Sequence, residues 1–438
     1  MCARVMDAPV RRCRARSLRS LCLLALACAE LLQACGRGPE GLPPPTGERV
    51  LLIGVDAATW TVMRPLIDAG RLPTFKKLVF EGWSGTLRSM EPTISPAVWT
   101  TIATGKVPDQ HGIHGFVVES RDHGNDVPVT SNLRRAETLW TIASRTGRRT
   151  NVVGWYVTWP VEPVNGVMVS DRFIPQDLGK KFGGPRAATA EHPAVYPTEL
   201  SPELEKLCIR PDDFLDPGER DFHKTFNIYP VDASRVAIAE HLMQQRSWDL
   251  TMVYIWGVDP IQHHFWQYYE PERWVGPPAT PEVIRASRDV IPEYYQDVDG
   301  FVARLLAQTG PRDTVIVVSD HGAGPIDHYD PKTGLSGSHR IEGIVIAWGN
   351  HVRAGQASAA PSVLDVTPTV LHLLGLPVGE DMKGQVITEL LDPGFAASRP
   401  VRKIATYETG RSRGDDRPIP SKMDEDIRER LRSLGYIQ

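Results

Sequence analysis

The chain has 438 residues, 49 basic and 53 acidic, for a formal charge of −4, and 41% of it is hydrophobic. That length suits one large α/β domain with additions, or two or three smaller domains, and the composition is that of a soluble globular protein without repeats or low-complexity runs. The acidic balance excludes a surface built to hold nucleic acid non-specifically. Of six cysteines (Cys2, Cys13, Cys22, Cys28, Cys35 and Cys208) only the last lies beyond residue 35, which excludes an intrachain disulfide or a cysteine metal site in the body.

Residues 1–35 read as a signal peptide. A basic stretch, "MCARVMDAPVRRCRARSLRS", precedes the apolar run "LCLLALACAELLQACG", which is too short to span a bilayer comfortably. The run ends in Leu32-Gln33-Ala34-Cys35, which resembles a bacterial lipobox whose cysteine is lipidated. An ordinary secretory cleavage or an uncleaved anchor would leave Cys35 incidental, and Glu30 is an awkward guest in such a run. The pair Arg11-Arg12 is a weak hint of twin-arginine export. Removing residues 1–34, with six arginines and two acids, takes the formal charge to −8. The expected location is the periplasm or cell surface of a bacterium, on a lipid anchor.

Residues 36–48, "GRGPEGLPPPTGE", form a proline-rich flexible linker with nothing to bury. The main domain, 49–390, follows. Near-continuous apolar strands are expected at 49–56, 150–157, 250–259, 313–322 and 343–349. Helices are expected at 71–83, 96–104, 136–146, 232–246, 283–309 and 363–374. Strands alternating with helices imply an α/β fold with a central, mostly parallel sheet between helix layers. Segment 158–231 lacks clean periodicity and reads as a cap or insertion region over the sheet edge. The extension 391–438 is loop-like until "MDEDIRERLRSLGYIQ", a helix with an acidic first turn and basic later turns, ending at Gly435.

Three expected strands end in a carboxylate: Asp56, Asp259 and Asp320. Sites in open α/β sheets form outside the carboxyl ends of strands. One such aspartate would be an ordinary cap for the following turn. Histidines accompany these three. Asp259 and His263 are four apart, so one helical turn puts both on one face. His321 adjoins Asp320, and His339 precedes the last strand. Three carboxylates and three imidazoles suit zinc and tolerate manganese or iron. Six ligands exceed one tetrahedral site but match two adjacent metals, the usual device for in-line phosphoryl displacement.

The stretch "PTISPAVWTTIATG" supplies a nucleophile. Ser95 lies where it can cap a helix beginning at Pro96, and capping is the commoner job for such a serine. The same helix end offers positive potential to a phosphate, and a dication would activate the hydroxyl. Thr93 is a fallback.

These residues resemble the alkaline phosphatase superfamily, and within it the type I phosphodiesterase/nucleotide pyrophosphatase family. The resemblance runs from about Val50 to Val386. It rests on "GVDAATW", "PTISPAVWTTIATGKVPDQHGIHGF", "GVDPIQHHFW", "VVSDHGAG", "GSHRIEG" and "DVTPTVLHLLGLP", a highly specific set in this order. It implies an alkaline-phosphatase-like sandwich with two metals, usually zinc, at the strand ends. Asp56, Ser95, Asp320 and His321 resemble the ligands of the nucleophile-side metal; Asp259, His263 and His339 resemble those of the other. The implied reaction has Ser95 attack phosphorus and form a phospho- or nucleotidyl-enzyme that activated water then releases.

The chain also departs from the family pattern. Nucleotide pyrophosphatases typically follow a threonine with Phe-Pro-Asn, whose asparagine helps hold a phosphoryl oxygen; here Pro96-Ala97-Val98 follows. Lys106, His264 and Arg340 are candidates to hold phosphate instead. "SPAVW" lacks the arginine of sulfatases, which disfavours that activity. His111 and His114 read as a structural signature, and the eleven tryptophans mostly as packing. The expected function is two-metal hydrolysis of small phosphodiester or nucleotide-like substrates. Phosphomonoester hydrolysis, phosphoryl transfer and a catalytically silent metal-binding lipoprotein stay open.

Overall fold

The computed structural model describes residues 42–119, 126–174, 189–209, 228–410 and 417–437. The basic N-terminal stretch, the apolar run and Cys35 lie outside the described residues, as do 175–188 and 210–227 of the region read as a cap.

The described residues build a nine-stranded sheet. Its strands are β1 (Arg49–Val55), β2 (Trp83–Arg88), β3 (Thr150–Val153), β4 (Gly166–Val169), β5 (Val195–Tyr196), β6 (Leu250–Ile255), β7 (Asp313–Val318), β8 (Glu342–Gly349) and β9 (Gly355–Gln356). They lie in the order β9-β2-β8-β7-β1-β6-β3-β4-β5. The central strands β7, β1, β6, β3 and β4 are mutually parallel. Only β8, which pairs with β2 and β7, and the short β5 run antiparallel to their neighbours. Strands β1, β6 and β7 are apolar and buried almost throughout, as expected where helices cover both faces.

The longer helices are α1 (Trp60–Asp68), α2 (Pro73–Glu81), α3 (Ser95–Thr104), α4 (Leu139–Arg145), α5 (Ile228–Gln245), α6 (Val258–Tyr269), α7 (Val290–Leu306), α8 (Val366–Leu373) and α9 (Asp424–Ser433). The single helix expected over 283–309 is two, Pro281–Ser287 and α7, interrupted at Arg288-Asp289. Residues 166–169 of the segment read as a cap form β4, inside the main sheet. No helix among the described residues is long and apolar enough to cross a membrane.

Register places the site. Gly54 of β1 faces Val318 of β7, so Asp56 and Asp320 leave adjacent strands level with each other. Val55 faces Ile255 of β6, and the Asp56 amide donates to the Ile255 carbonyl at 2.9 Å. Helix α3 lies close against this end of the sheet because Gly54 has no side chain. A Cβ there would meet the Trp99 ring at 2.6 Å, too near for any real contact.

Buried His111 fastens the far side of α3. Its Nδ1 accepts the Ile113 amide at 3.2 Å, which leaves Nε2 protonated to donate to Thr101 Oγ1 at 3.0 Å. Burial lowers its pKa to about 3, so the ring stays neutral. This is a packing role, in keeping with the structural signature.

Candidate metal centre

Two groups of residues converge at the carboxyl ends of β1, β6 and β7. The first holds Asp56, Asp320 and His321 with Ser95. His321 Nε2 lies 3.5 Å from Asp56 Oδ1, 3.4 Å from Asp320 Oδ2 and 3.4 Å from Ser95 Oγ. The second holds Asp259, His263 and His339. Asp259 Oδ1 lies 3.2 Å from His263 Nε2 and 3.3 Å from His339 Nε2, and the two imidazole nitrogens are 3.0 Å apart. The groups adjoin, because the His321 and His339 rings stack with centroids 3.7 Å apart.

Each aspartate is held by one oxygen and left bare at the other. Asp56 Oδ2 accepts from Tyr254 Oη and from Trp99 Nε1. Asp320 Oδ1 accepts from the Ala57 amide, and Asp259 Oδ2 from Tyr436 Oη at 2.6 Å. Asp56 Oδ1, Asp320 Oδ2 and Asp259 Oδ1 are buried with no hydrogen-bond donor. Such atoms are costly to bury unless a cation meets them.

The imidazoles are set the same way. His321 Nδ1 donates to Gly322 O, His263 Nδ1 to Gly337 O and His339 Nδ1 to Thr93 O, at 3.0, 2.8 and 2.8 Å. Every Nε2 therefore presents a lone pair to the bare carboxylate oxygens, the usual arrangement of ligating histidines. The donor set fits two divalent cations: Asp56, Asp320 and His321, with Ser95, would hold one, and Asp259, His263 and His339 the other, with His321 also near enough to Asp259 and His339 to be shared.

The electrostatics agree. Burial, with the charges of Asp320 and Asp259, pushes the Asp56 carboxyl well above its usual range, and burial pushes Asp320 up to about 7. Burial and the neighbouring His339 drive His321 well below its usual value. Without a cation, burial would raise Asp259, but protonated His263 and His339 would outweigh it and hold that carboxyl well below the ordinary range; a metal takes the place of those protons. Two carboxyls pushed toward protonation beside a third held ionised form an anionic basket that a pair of dications would neutralise.

Ser95 is the first residue of α3, with Ile94 at the cap position, and it makes no side-chain capping bond. The helix thus begins one residue earlier than the sequence suggests, and the hydroxyl turns to His321 instead of to backbone amides. Asp259 is not at a strand end either: β6 stops at Ile255, and Asp259 sits in the first turn of α6, one turn before His263. Thr93, the fallback, reaches only His339 Nδ1, at 3.3 Å.

The three residues considered for phosphate are placed as follows. Lys106 follows the opposite end of α3 from Ser95, a helix about 15 Å long, and pairs with Asp381 and Glu408 at 2.7 Å each. Arg340 follows His339 on a strand, so the two side chains take opposite faces. Its guanidinium donates to Ser338 Oγ at 2.6 Å and to the carbonyls of His339 and Pro325. Burial lowers His264 to about 4, which makes it a neutral ring at pH 7.

Sequence reasoning missed Tyr254, Trp99 and Tyr436, which hold the carboxylates from behind. Tyr254 lies on β6 and Trp99 on α3, at positions that look like core. Tyr436 follows Gly435, whose φ of +70° reverses the chain after α9 so that the Tyr436 amide bonds Leu431 O at 2.8 Å. The Leu-Gly-Tyr sequence announces the turn but not what the tyrosine reaches.

Residues 50–373 match the family described as type I phosphodiesterase / nucleotide pyrophosphatase. No curated protein sequence matches the chain significantly. Among solved structures, the phosphonoacetate hydrolase from Sinorhizobium meliloti 1021, in complex with phosphonoacetate, shares 18% identity over 66% of this chain and 59% of its own, with a TM-score of 0.41. Murine ectonucleotide pyrophosphatase / phosphodiesterase 5, an inactive form in complex with AMP, shares 13% identity over 79% of this chain and all of its own, at 0.50. The 2-O GAG sulfatase BT1596 shares 13% over 78% and 74%, also at 0.50. At such identities the likeness is one of fold. With a family match across most of its length on a mostly parallel α/β sheet, the chain belongs to the type I phosphodiesterase / nucleotide pyrophosphatase family.

Proposed function

We propose that this protein hydrolyses phosphodiesters or pyrophosphate-type anhydrides through Ser95 at a centre for two divalent cations, most naturally zinc, with manganese the alternative. The observation carrying this reading is the set of three bare carboxylate oxygens opposite three Nε2 lone pairs, with the Ser95 hydroxyl beside them. Ser95 Oγ bonds to phosphorus, the P–O bond to the leaving group breaks, and the seryl proton passes to solvent. Water then cleaves the seryl phosphoester and restores the hydroxyl. Bound cations would favour the ionised nucleophile and offset charge on the phosphoryl oxygens. The amino end of α3 aims the same polarity at the phosphoryl group.

A cavity of about 480 Å3 opens beside His263 and His339, walled by Ile94, Phe116, Leu335 and Tyr436. Its apolar walls support a substrate with an organic group beyond the phosphorus, hence a diester or anhydride before a simple monoester. Export of this body on a lipidated Cys35 belongs to the same proposal. Palmitate label persisting in a Cys35→Ser chain would rule that part out.

The deciding experiment is elemental analysis and a substrate screen on the chain from residue 36, at defined zinc and manganese. The expected result is two ions per chain, with bis-p-nitrophenyl phosphate or dinucleotide anhydrides turned over faster than p-nitrophenyl phosphate. Two ions without turnover of any of these would identify a silent metal-binding protein. Monoester preference would reverse the substrate assignment.

A further inference from the structure

Resting on the two-cation reading, we infer that the Tyr436 phenol is the fourth ligand of the Asp259–His263–His339 centre, so that the C-terminal helix is part of the metal site. Tyr436 Oη lies 2.6 Å from Asp259 Oδ2, 3.0 Å from His263 Nε2 and 3.2 Å from His339 Nε2. The other three groups are separated from one another by 3.0, 3.2 and 3.3 Å. With Asp259 offering Oδ2 to the phenol and Oδ1 to the histidines, four ligand-bearing groups therefore cluster within 3.3 Å of one another. Ligands about 2.0 Å from a tetrahedral zinc are about 3.3 Å apart, so closing on an ion requires only slight spreading.

Hydrogen bonding alone does not account for this cluster. The phenol has one proton, and Asp259 Oδ2 takes it. Both imidazoles already use their Nδ1 protons on backbone carbonyls. With both imidazoles neutral, two nitrogen lone pairs and a phenol oxygen face each other across about 3 Å with no proton between them, and Asp259 Oδ1 has no donor. A cation resolves all of these at once. On coordination the phenol proton leaves to solvent and the O–H bond is replaced by an O–metal bond.

The tyrosine is delivered by a fixed element. Arg172 pairs with Asp424 at 3.3 Å where α9 begins, and Arg428 donates to Asp126 O at 2.8 Å. Arg430 lies over the Trp256 ring at 5.2 Å, and Tyr436 itself stacks on Phe116 with centroids 4.4 Å apart and planes 9° from parallel. Loading of this centre and docking of the C-terminal helix are then one linked equilibrium.

The test titrates zinc into wild-type, Tyr436→Phe and Phe116→Leu chains against a chromophoric chelator while recording near-ultraviolet difference spectra. Wild type should bind two ions, one with the difference band of a metal-bound tyrosinate. Tyr436→Phe keeps the stacked ring but should lose that band and weaken one site at least tenfold, with the other unchanged. Phe116→Leu should keep both the band and the affinity. Two undiminished sites in Tyr436→Phe, or equal weakening by Phe116→Leu without a tyrosinate band in wild type, would overturn the assignment. Fewer than two ions in wild type would instead remove the two-cation reading beneath it.

Discussion

A Ser95→Ala chain should lose at least about a thousandfold in kcat toward bis-p-nitrophenyl phosphate, while still binding two metal ions per chain. The structure separates this outcome from the ordinary role of a serine at a helix start. A capping serine replaced by alanine costs about 1 kcal/mol of stability. Ser95 makes no capping bond, stands inside the first turn and points its hydroxyl at His321. Alanine is also a better helix former than serine, so the melting temperature should be unchanged or slightly raised. Steady-state turnover, metal content and thermal melting, measured on one preparation, decide the matter. Retained turnover would send the nucleophile assignment elsewhere, with Thr93 next in line.

Asp259→Asn should abolish one metal site while leaving the other. The substitution keeps size and shape but removes the charge on Oδ1, the buried oxygen facing His263 and His339. An affinity loss of at least a hundredfold is expected, since replacing even a partner behind a ligand costs ten- to a hundredfold. Stability provides an independent readout. Each site occupied at a hundred times its dissociation constant adds about 2.7 kcal/mol to the folded state, so the rise in melting temperature on adding zinc should shrink to that of one site. An undiminished rise would mean that Asp259 is not a ligand.

Much of this centre could be read from the chain because its parts sit at ends of apolar runs. Strands β1 and β7 are buried on both faces, and their hydrophobic continuity makes Asp56 and Asp320 stand out. Asp259 shows where such reading stops. "LTMVYIWGVD" looks like one strand to its last residue, but Asp232 on α5 accepts the amides of Trp256 and Gly257 at 2.9 and 2.7 Å. Those amides are lost to the sheet ladder, and the chain turns into α6 four residues early. That event is tertiary. The strand "WSGTLR" went unread for a different reason: near the sheet edge, half-exposed and antiparallel to β8, it lacks the unbroken apolar run of a central strand. Tyr436 was beyond reach because nothing near it in the chain indicates that α9 docks beside residues nearly two hundred positions away.

The mutual alignment of β7, β1 and β6 acts as a ruler. Neighbouring strands in any sheet keep a pitch of about 4.8 Å, fixed by backbone geometry and indifferent to side chains. Asp56 and Asp320 leave level positions on two of these strands, so their spacing is inherited from the ladder and cannot be stretched by substitution without tearing it. Chemical diversification of such a scaffold must then come from elements hung around the ruler, the β-hairpin bearing His339 and the turn after α9 bearing Tyr436, while the interval they close upon stays constant.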